Sequence, residues 1–272
     1  MESSSDSEGK VRTGGIMEDR KTNGIGYITG RWPLDPAKST LVFIHGAGGT
    51  SNFWRAQVAP LGERANTVAI DLPGHGHSDG NGHERIEDYA RAVVDFIRAI
   101  EAPRPIPCGL SLGGAITQQL LLDSPDLFRA GILIGSGAKL RVAPEIFDAI
   151  KKGTKSFAEM MVKLAASKAT DPDRVKRFKD DLAHCQSEVL FQDFRACDRF
   201  DLMQRVGSIT SPVLVVSAED DQITPPKYGD FMEKSIAQAS RVHIMEAGHI
   251  VPMEKPEAVN SAIIDFLDRS SL

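Results

Sequence analysis

Apolar residues along this chain gather into short, regularly spaced runs. TLVFIHG (40–46), ANTVAIDLP (65–73), PIPCGLS (105–111), AGILIGS (130–136), PVLVVSAED (212–220) and RVHIMEAGH (241–249) are each hydrophobic at consecutive positions. That pattern predicts strands buried on both faces rather than on one. The intervening segments carry helical spacing instead, as where Val259, Ile263 and Phe266 form one stripe behind Pro256. Ahead of them, Lys10 to Arg20 and Ile25 to Trp32 read as a hairpin closed at Asn23-Gly24, a dipeptide suited to the tight turn. Strands alternating with helices predict a mostly parallel sheet covered on both faces, in the α/β class.

The alternation breaks once. From Lys139 to Phe200 no strand pattern occurs, and consecutive amphipathic segments replace it. Ser156 to Glu159 has capping-box spacing and is expected to open a helix with Phe157, Met161 and Leu164 on one face. Asp171-Pro172 opens another, with Val175, Phe178 and Leu182 aligned. The organisation expected is a leader over residues 1–10, a core of 11–138 and 201–272, and a helical insertion over 139–200. Short helices of this kind must lay their apolar faces on a partner, either the sheet domain's own surface or a pocket that they cover.

Composition narrows the function classes. A chain of 272 residues with 41% hydrophobic and 25% charged positions is of ordinary globular make-up. Its net charge of -5 disfavours nucleic acid as a partner, since phosphate-backbone binding needs a basic excess. Cys108, Cys185 and Cys197 are too few and scattered for a disulfide framework or a paired zinc motif, which points to a reducing, cytoplasmic setting. No apolar run approaches membrane-spanning length, and MESSSDSEGK has no signal-peptide core. It reads as a disordered leader. There is no internal repeat.

Candidate chemistry begins at PCGLSLGGA, where Ser111 stands between Gly109 and Gly113 at the junction of a buried strand and a helix pattern. This is the G-x-S-x-G arrangement, in which a strained turn lifts a serine hydroxyl above the sheet. A hydroxyl is a weak nucleophile at neutral pH and needs a base and a group to orient that base. Later strand ends offer Glu219, Asp220 and Asp221, then His249. His243, His184 and His83 read as structural, and His45 as a brace for its loop. His75 and His77 have a spacing that a metal could use, but no metal site is expected.

HGAGGTSNFW, DLPGHGHSDG, GLSLGGA, EDDQITP and AGHIVPMEKP, spread from residue 45 to 256, together resemble the α/β-hydrolase superfamily, in its esterase-like serine hydrolases with a helical cap. The resemblance implies an eight-stranded mostly parallel α/β-hydrolase sheet with helices on both faces and a helical cap insertion. It selects Asp221 as the triad acid because Pro225 follows four positions later, with Asp220 as runner-up; Ala218 replaces the family's usual glycine. Ser111, Asp221 and His249 are then the catalytic residues. The backbone N-H groups of Ala47 and Leu112 form the oxyanion hole. Trp54, Leu110, Phe157, Met161 and Ile250 are expected to contact a small or medium ester or thioester. No cofactor is implied. Ring-fission carbon-carbon hydrolysis is an alternative that the family performs with the same triad, although Ile250 stands where those relatives have tryptophan. A hydrolase-fold receptor with little turnover is the other. Oligomeric state stays open.

Overall fold

The computed structural model describes residues 17–272. The leader expected over 1–10 and the first part of the leading hairpin strand lie outside the described residues. In chain order the elements are β1 (Glu18–Thr22), β2 (Ile25–Thr29), β3 (Thr40–Ile44), α1 (Arg55–Leu61), β4 (Asn66–Ile70), α2 (Ile86–Ala99), β5 (Pro105–Leu110), α3 (Leu112–Asp123) and β6 (Gly131–Ile134). Four helices follow, α4 (Pro144–Lys152), α5 (Thr154–Ala165), α6 (Pro172–His184) and α7 (Ser187–Arg199). The chain then returns to the sheet with β7 (Val213–Ala218), α8 (Pro226–Ser235), β8 (Ala239–Ile244), α9 (Val251–Glu254) and α10 (Pro256–Arg269).

Among the described residues the strands form one sheet of eight in the order β1-β2-β4-β3-β5-β6-β7-β8. The β1-β2 and β2-β4 pairs are antiparallel and the remaining pairs parallel. The hairpin turns at Asn23 (φ 48) and Gly24 (φ 80), the left-handed pair that a two-residue turn needs.

Alternation along β3 divides the core. Leu41 and Phe43 point into one cluster with α1 and α10, where Val58, Val259, Ile263 and Phe266 pack. Val42 and Ile44 point into the other, with Tyr89, Val93 and Phe96 of α2 and Ile116 of α3. Both faces are therefore covered, as the continuous apolar runs require. The exception is β8, whose residues are mostly half-exposed because it closes the sheet on one edge.

Two local expectations meet different outcomes. Asp171 caps α6 as read, its carboxylate accepting the Asp173 N-H at 3.0 Å, and Val175, Phe178 and Leu182 are buried. Ser156, by contrast, sits inside α5 rather than at its start, and its hydroxyl donates to the Gly153 carbonyl at 3.0 Å. The helix already starts at Thr154, directly after Gly153, whose positive φ of 131 breaks the chain from α4, so the capping box has no end to cap. The buried stripe of α5 is Phe157, Ala158, Met161 and Ala165, with Leu164 only partly covered.

Phe43 is fully buried at the centre of the sheet, 5.0 Å from the Trp54 ring centroid. Replacing Phe43 with Ala should lower stability by about 3–5 kcal/mol through lost burial and an unfilled cavity. The readout is a lower urea midpoint followed by circular dichroism.

Candidate active site

The junction of β5 and α3 is set by backbone crowding. A Cβ at Gly109 would lie 1.9 Å from the Gly113 carbonyl oxygen, and one at Gly113 would lie 2.2 Å from the Ile44 carbonyl oxygen. No larger residue fits either position without moving main chain. Between them Ser111 adopts φ 54, ψ -113, a conformation costly for a residue with a side chain. It is pinned there by its own N-H on the Ile134 carbonyl at 3.0 Å and by the Ser136 hydroxyl on its carbonyl at 2.9 Å.

Asp221 and His249 meet on the loops after β7 and β8. His249 Nδ1 lies 2.9 Å from Asp221 Oδ2, with both side chains nearly excluded from water. The other Asp221 oxygen accepts the N-H groups of Ile223 (2.9 Å) and Thr224 (2.8 Å), and Thr224 Oγ1 donates to Oδ2 at 2.8 Å. Burial alone would raise the Asp221 carboxyl; the paired His249 and the Thr224 donors outweigh it and hold the group below the usual carboxylate range. An ionised Asp221 keeps a proton on His249 Nδ1 and leaves Nε2 as the basic nitrogen. Asp220, the runner-up, is exposed and receives the Ser167 hydroxyl at 2.5 Å. Gly135, which follows the strand residue bound to Ser111, backs directly onto the Asp221-His249 pair. Ser111 and Thr224 line one cavity of about 210 Å³. The Ser111 hydroxyl is not hydrogen-bonded to His249 here and stays open to that cavity.

The loop after β3 is held on both sides of Ala47. His45, fully buried, donates from Nδ1 to the Gly46 carbonyl (2.8 Å) and accepts the Leu72 N-H at Nε2 (3.0 Å). Burial, reinforced by the nearby His75 charge, pushes its pKa down to about 4, so the ring is neutral as this pattern demands. On the far side the Gly48 N-H donates to Asp193 Oδ2 at 2.8 Å. The Gly46 backbone packs against Leu110 and Ser111. Neither the Ala47 nor the Leu112 amide has an acceptor among the described residues, which leaves one free N-H on the residue after Ser111 and another on the residue after Gly46.

Asp193, contributed by α7, was not legible as a site residue. It is completely buried and accepts from Gly48 N-H, from His75 Nε2 at 2.9 Å and from the Tyr89 hydroxyl. Burial by itself would lower the His75 pKa, but the Asp193 carboxylate raises it well above 6.5. Despite its own burial, Asp193 is held below 3.8 by His75 and the other donors. His75 is thus committed to an ion pair, and His77 uses its backbone N-H on Asp71. A second connection joins the helical segment to the histidine loop. The His249 N-H donates to the Ala165 carbonyl at 2.6 Å, while Glu254 accepts from Ser167 N-H (2.8 Å), Gly248 N-H (3.0 Å) and the Thr170 hydroxyl. Nothing in local sequence marks either carboxylate, because their partners are over 80 residues away in several of these bonds.

Of the expected substrate contacts, Met161 lines the Ser111 cavity and four do not. Phe157 lies one layer behind, edge-on to Phe194, which does line it (centroids 5.6 Å). Trp54 is fully buried between Phe43 and Phe53, because its single-turn helix folds inward onto the sheet. Leu110 packs under Gly46, and Ile250 turns into the core beside Val251. Leu140, Ile146 and Leu164 supply the apolar wall instead.

Residues 41–262 match the profile described as the Alpha/beta hydrolase family. The chain is 26% identical over 240 residues to 3-oxoadipate enol-lactonase 2 of Acinetobacter baylyi, spanning 85% of this chain and 90% of that one. It is 28% identical over 253 residues to a pimeloyl-[acyl-carrier protein] methyl ester esterase of Neisseria meningitidis, covering 88% and 96%. A thermophilic esterase of known structure superposes with a TM-score of 0.79 at 30% identity, covering 93% of this chain and 98% of that chain.

Removing the Asp193 carboxylate strands a buried imidazolium. Asp193→Ala should cost about 3–5 kcal/mol in urea unfolding near pH 6, and Asp193→Asn, which can still accept from Gly48, should cost less. The sign of the pH dependence follows from the two shifts. His75, raised in the folded state, contributes fully below 6.5 and loses its contribution as pH rises through its folded value. Asp193, depressed, contributes above 3.8 and loses it as pH falls. The deficit of Asp193→Ala should therefore be largest between pH 3.8 and 6.5 and shrink on the alkaline side.

Proposed function

The chain belongs to the alpha/beta hydrolase family, and on that premise we propose that it is a serine hydrolase cleaving a small or medium carboxylic ester or thioester through an acyl-enzyme. Ser111 Oγ attacks the acyl carbonyl while His249 Nε2 takes its proton, and Asp221 holds the imidazole and stabilises its charged form. The oxygen that becomes negative is received by the Ala47 and Leu112 N-H groups; one such donor is typically worth about 3 kcal/mol in the transition state. Collapse breaks the ester bond, and His249 returns the proton to the leaving alcohol or thiol. Water, deprotonated by His249, then attacks the acyl-Ser111 ester and releases the acid.

The observation that carries this reading is the nearly dry Asp221-His249 pair at 2.9 Å, joined through Thr224 to the cavity into which a strained Ser111 opens. A cap role for the helical segment over 139–200 is supported by Met161, Leu164 and Phe194, which line that cavity. Its volume of about 210 Å³ and apolar wall favour a short acyl or alkyl group over a long chain. The enol-lactonase and methyl ester esterase among its relatives are named for ester substrates, which supports the same bond type.

Steady-state hydrolysis of p-nitrophenyl esters from acetate to decanoate tests the assignment. Wild type should turn over repeatedly with a preference for the shorter esters. Ser111→Ala and His249→Ala should each lose several orders of magnitude in kcat, and Asp221→Asn roughly 10⁴-fold. Activity surviving in Ser111→Ala would remove the nucleophile assignment, and a single slow turnover with a persistent acyl adduct would favour a receptor.

A further inference from the structure

Beside the Ser111 cavity lies a larger groove of about 450 Å³, and the two share Arg141 and Tyr228 as lining residues. The groove forms where the helical segment leaves and rejoins the sheet domain, a junction closed by the antiparallel bridge between Lys139 and Asp201. Its apolar lining comes from Tyr228 and Phe231 of α8 and from Met203, which is 40% exposed. Together with Ala138 these side chains give the concavity an apolar wall next to its charged residues.

Charge gives the groove its character. Three cations line it, Lys139, Arg141 and Lys227, against the single carboxylate of Asp201. Lys139 is neutralised by Asp201 at 2.5 Å. Arg141 and Lys227 have no carboxylate within ion-pair distance among the described residues. Of the neighbouring acids, Asp230 pairs with Arg241 at 2.7 Å, Asp198 accepts the Val142 N-H at 3.3 Å, and Asp201, bonded to Lys139, acts on Arg141 only from beyond ion-pair distance. Two unpaired cations thus converge on an apolar-lined groove in a chain whose net charge is -5. A guanidinium and an ammonium set against a low-dielectric wall favour a carboxylate or phosphate, and Arg141 can grip either oxyanion through two N-H groups.

We propose that this groove receives the anionic end of an ester substrate, whose body runs from Ser111 past Tyr228 to a carboxylate or phosphate held by Arg141 and Lys227. The inference rests on the serine-hydrolase reading and adds to it the class of substrate. The acyl cavity alone accounts for the reacting end; the groove accounts for a distal, charged one. An enzyme so built discriminates by charge at a distance from the scissile bond, and it draws anionic esters toward the site against its overall negative potential.

The test compares three methyl ester series matched in length: monomethyl esters of linear diacids, their neutral dimethyl counterparts, and methyl esters of ω-phosphono acids. Methanol release gives kcat/KM for each with wild type and with Arg141→Gln/Lys227→Gln. The expected result is a wild-type preference for charged over neutral esters that falls about tenfold in the double variant, mainly through KM, and weakens as salt is raised. Whichever anionic series loses more identifies the oxyanion. A charged-to-neutral ratio that is the same in both proteins, or a wild-type preference for neutral esters, overturns the proposal. Calorimetric binding of the monomethyl diacids to Ser111→Ala separates the two readings, since it does not require turnover. Tenfold weaker binding in Ser111→Ala carrying the two groove substitutions supports the groove even if no ester is cleaved, and unchanged binding overturns it.

Discussion

At Ser111 the main chain is forced into φ 54, ψ -113 because β5 and α3 approach more closely than any side chain on Gly109 or Gly113 would permit. The approach has a packing origin. α3 is buried along nearly its whole length, and Leu112, Ala115 and Ile116 must reach the face of the sheet that Val42 and Ile44 also feed. Pressing the helix down on the strand end leaves the connecting residue no relaxed conformation. The strain projects the hydroxyl away from the core, and the first free amide of α3 follows immediately behind it. One constraint therefore supplies both a hydroxyl that opens on the cavity and a free N-H on the residue that follows it.

Everything else at the site is arranged around that turn by neighbours on adjacent strands. Ser111 is bonded to the end of β6, and the residue after that strand backs onto Asp221 and His249. The loop with Ala47 lies against Ser111 through Gly46. In a parallel sheet all of these strand ends face the same way, so loops distant in sequence converge without any one of them being long.

The helical segment does more than sit above this cluster. Through Asp193 it grips the Gly48 amide, one residue beyond Ala47, and through the Ala165 carbonyl it holds the His249 amide. Glu254 closes a further link between Ser167 and Gly248. The loop bearing Ala47 and the loop bearing His249 are thus both tied to the same inserted helices. Their geometry depends on the insertion being folded in place, with a buried ion pair as one of the ties.

The sheet and its order of chemistry-bearing loops were legible because they depend on local rules. Continuous apolar runs mark strands covered on both faces, Asn23-Gly24 marks a two-residue turn, and Gly109 and Gly113 flank a serine where main chain must come close. Asp171 caps its helix through a bond two residues away. Where the rule was local but ambiguous, it failed: Ser156 and Glu159 have the right spacing, yet α5 begins earlier because Gly153 provides the break. Which apolar residues wall the cavity was legible only at Met161. Trp54, Leu110, Phe157 and Ile250 are hydrophobic for the core, while Leu140, Ile146 and Phe194 are hydrophobic for the cavity, and composition does not separate the two. The ties of Asp193 and Glu254, and the convergence of Arg141 with Lys227, join residues far apart along the chain. Short-range patterning by itself determined the layers of this protein and the kind of chemistry that its strand ends carry. Only the tertiary structure decided what faces the cavity and which charges stay unpaired, because those depend on distances between segments that the chain does not order by proximity.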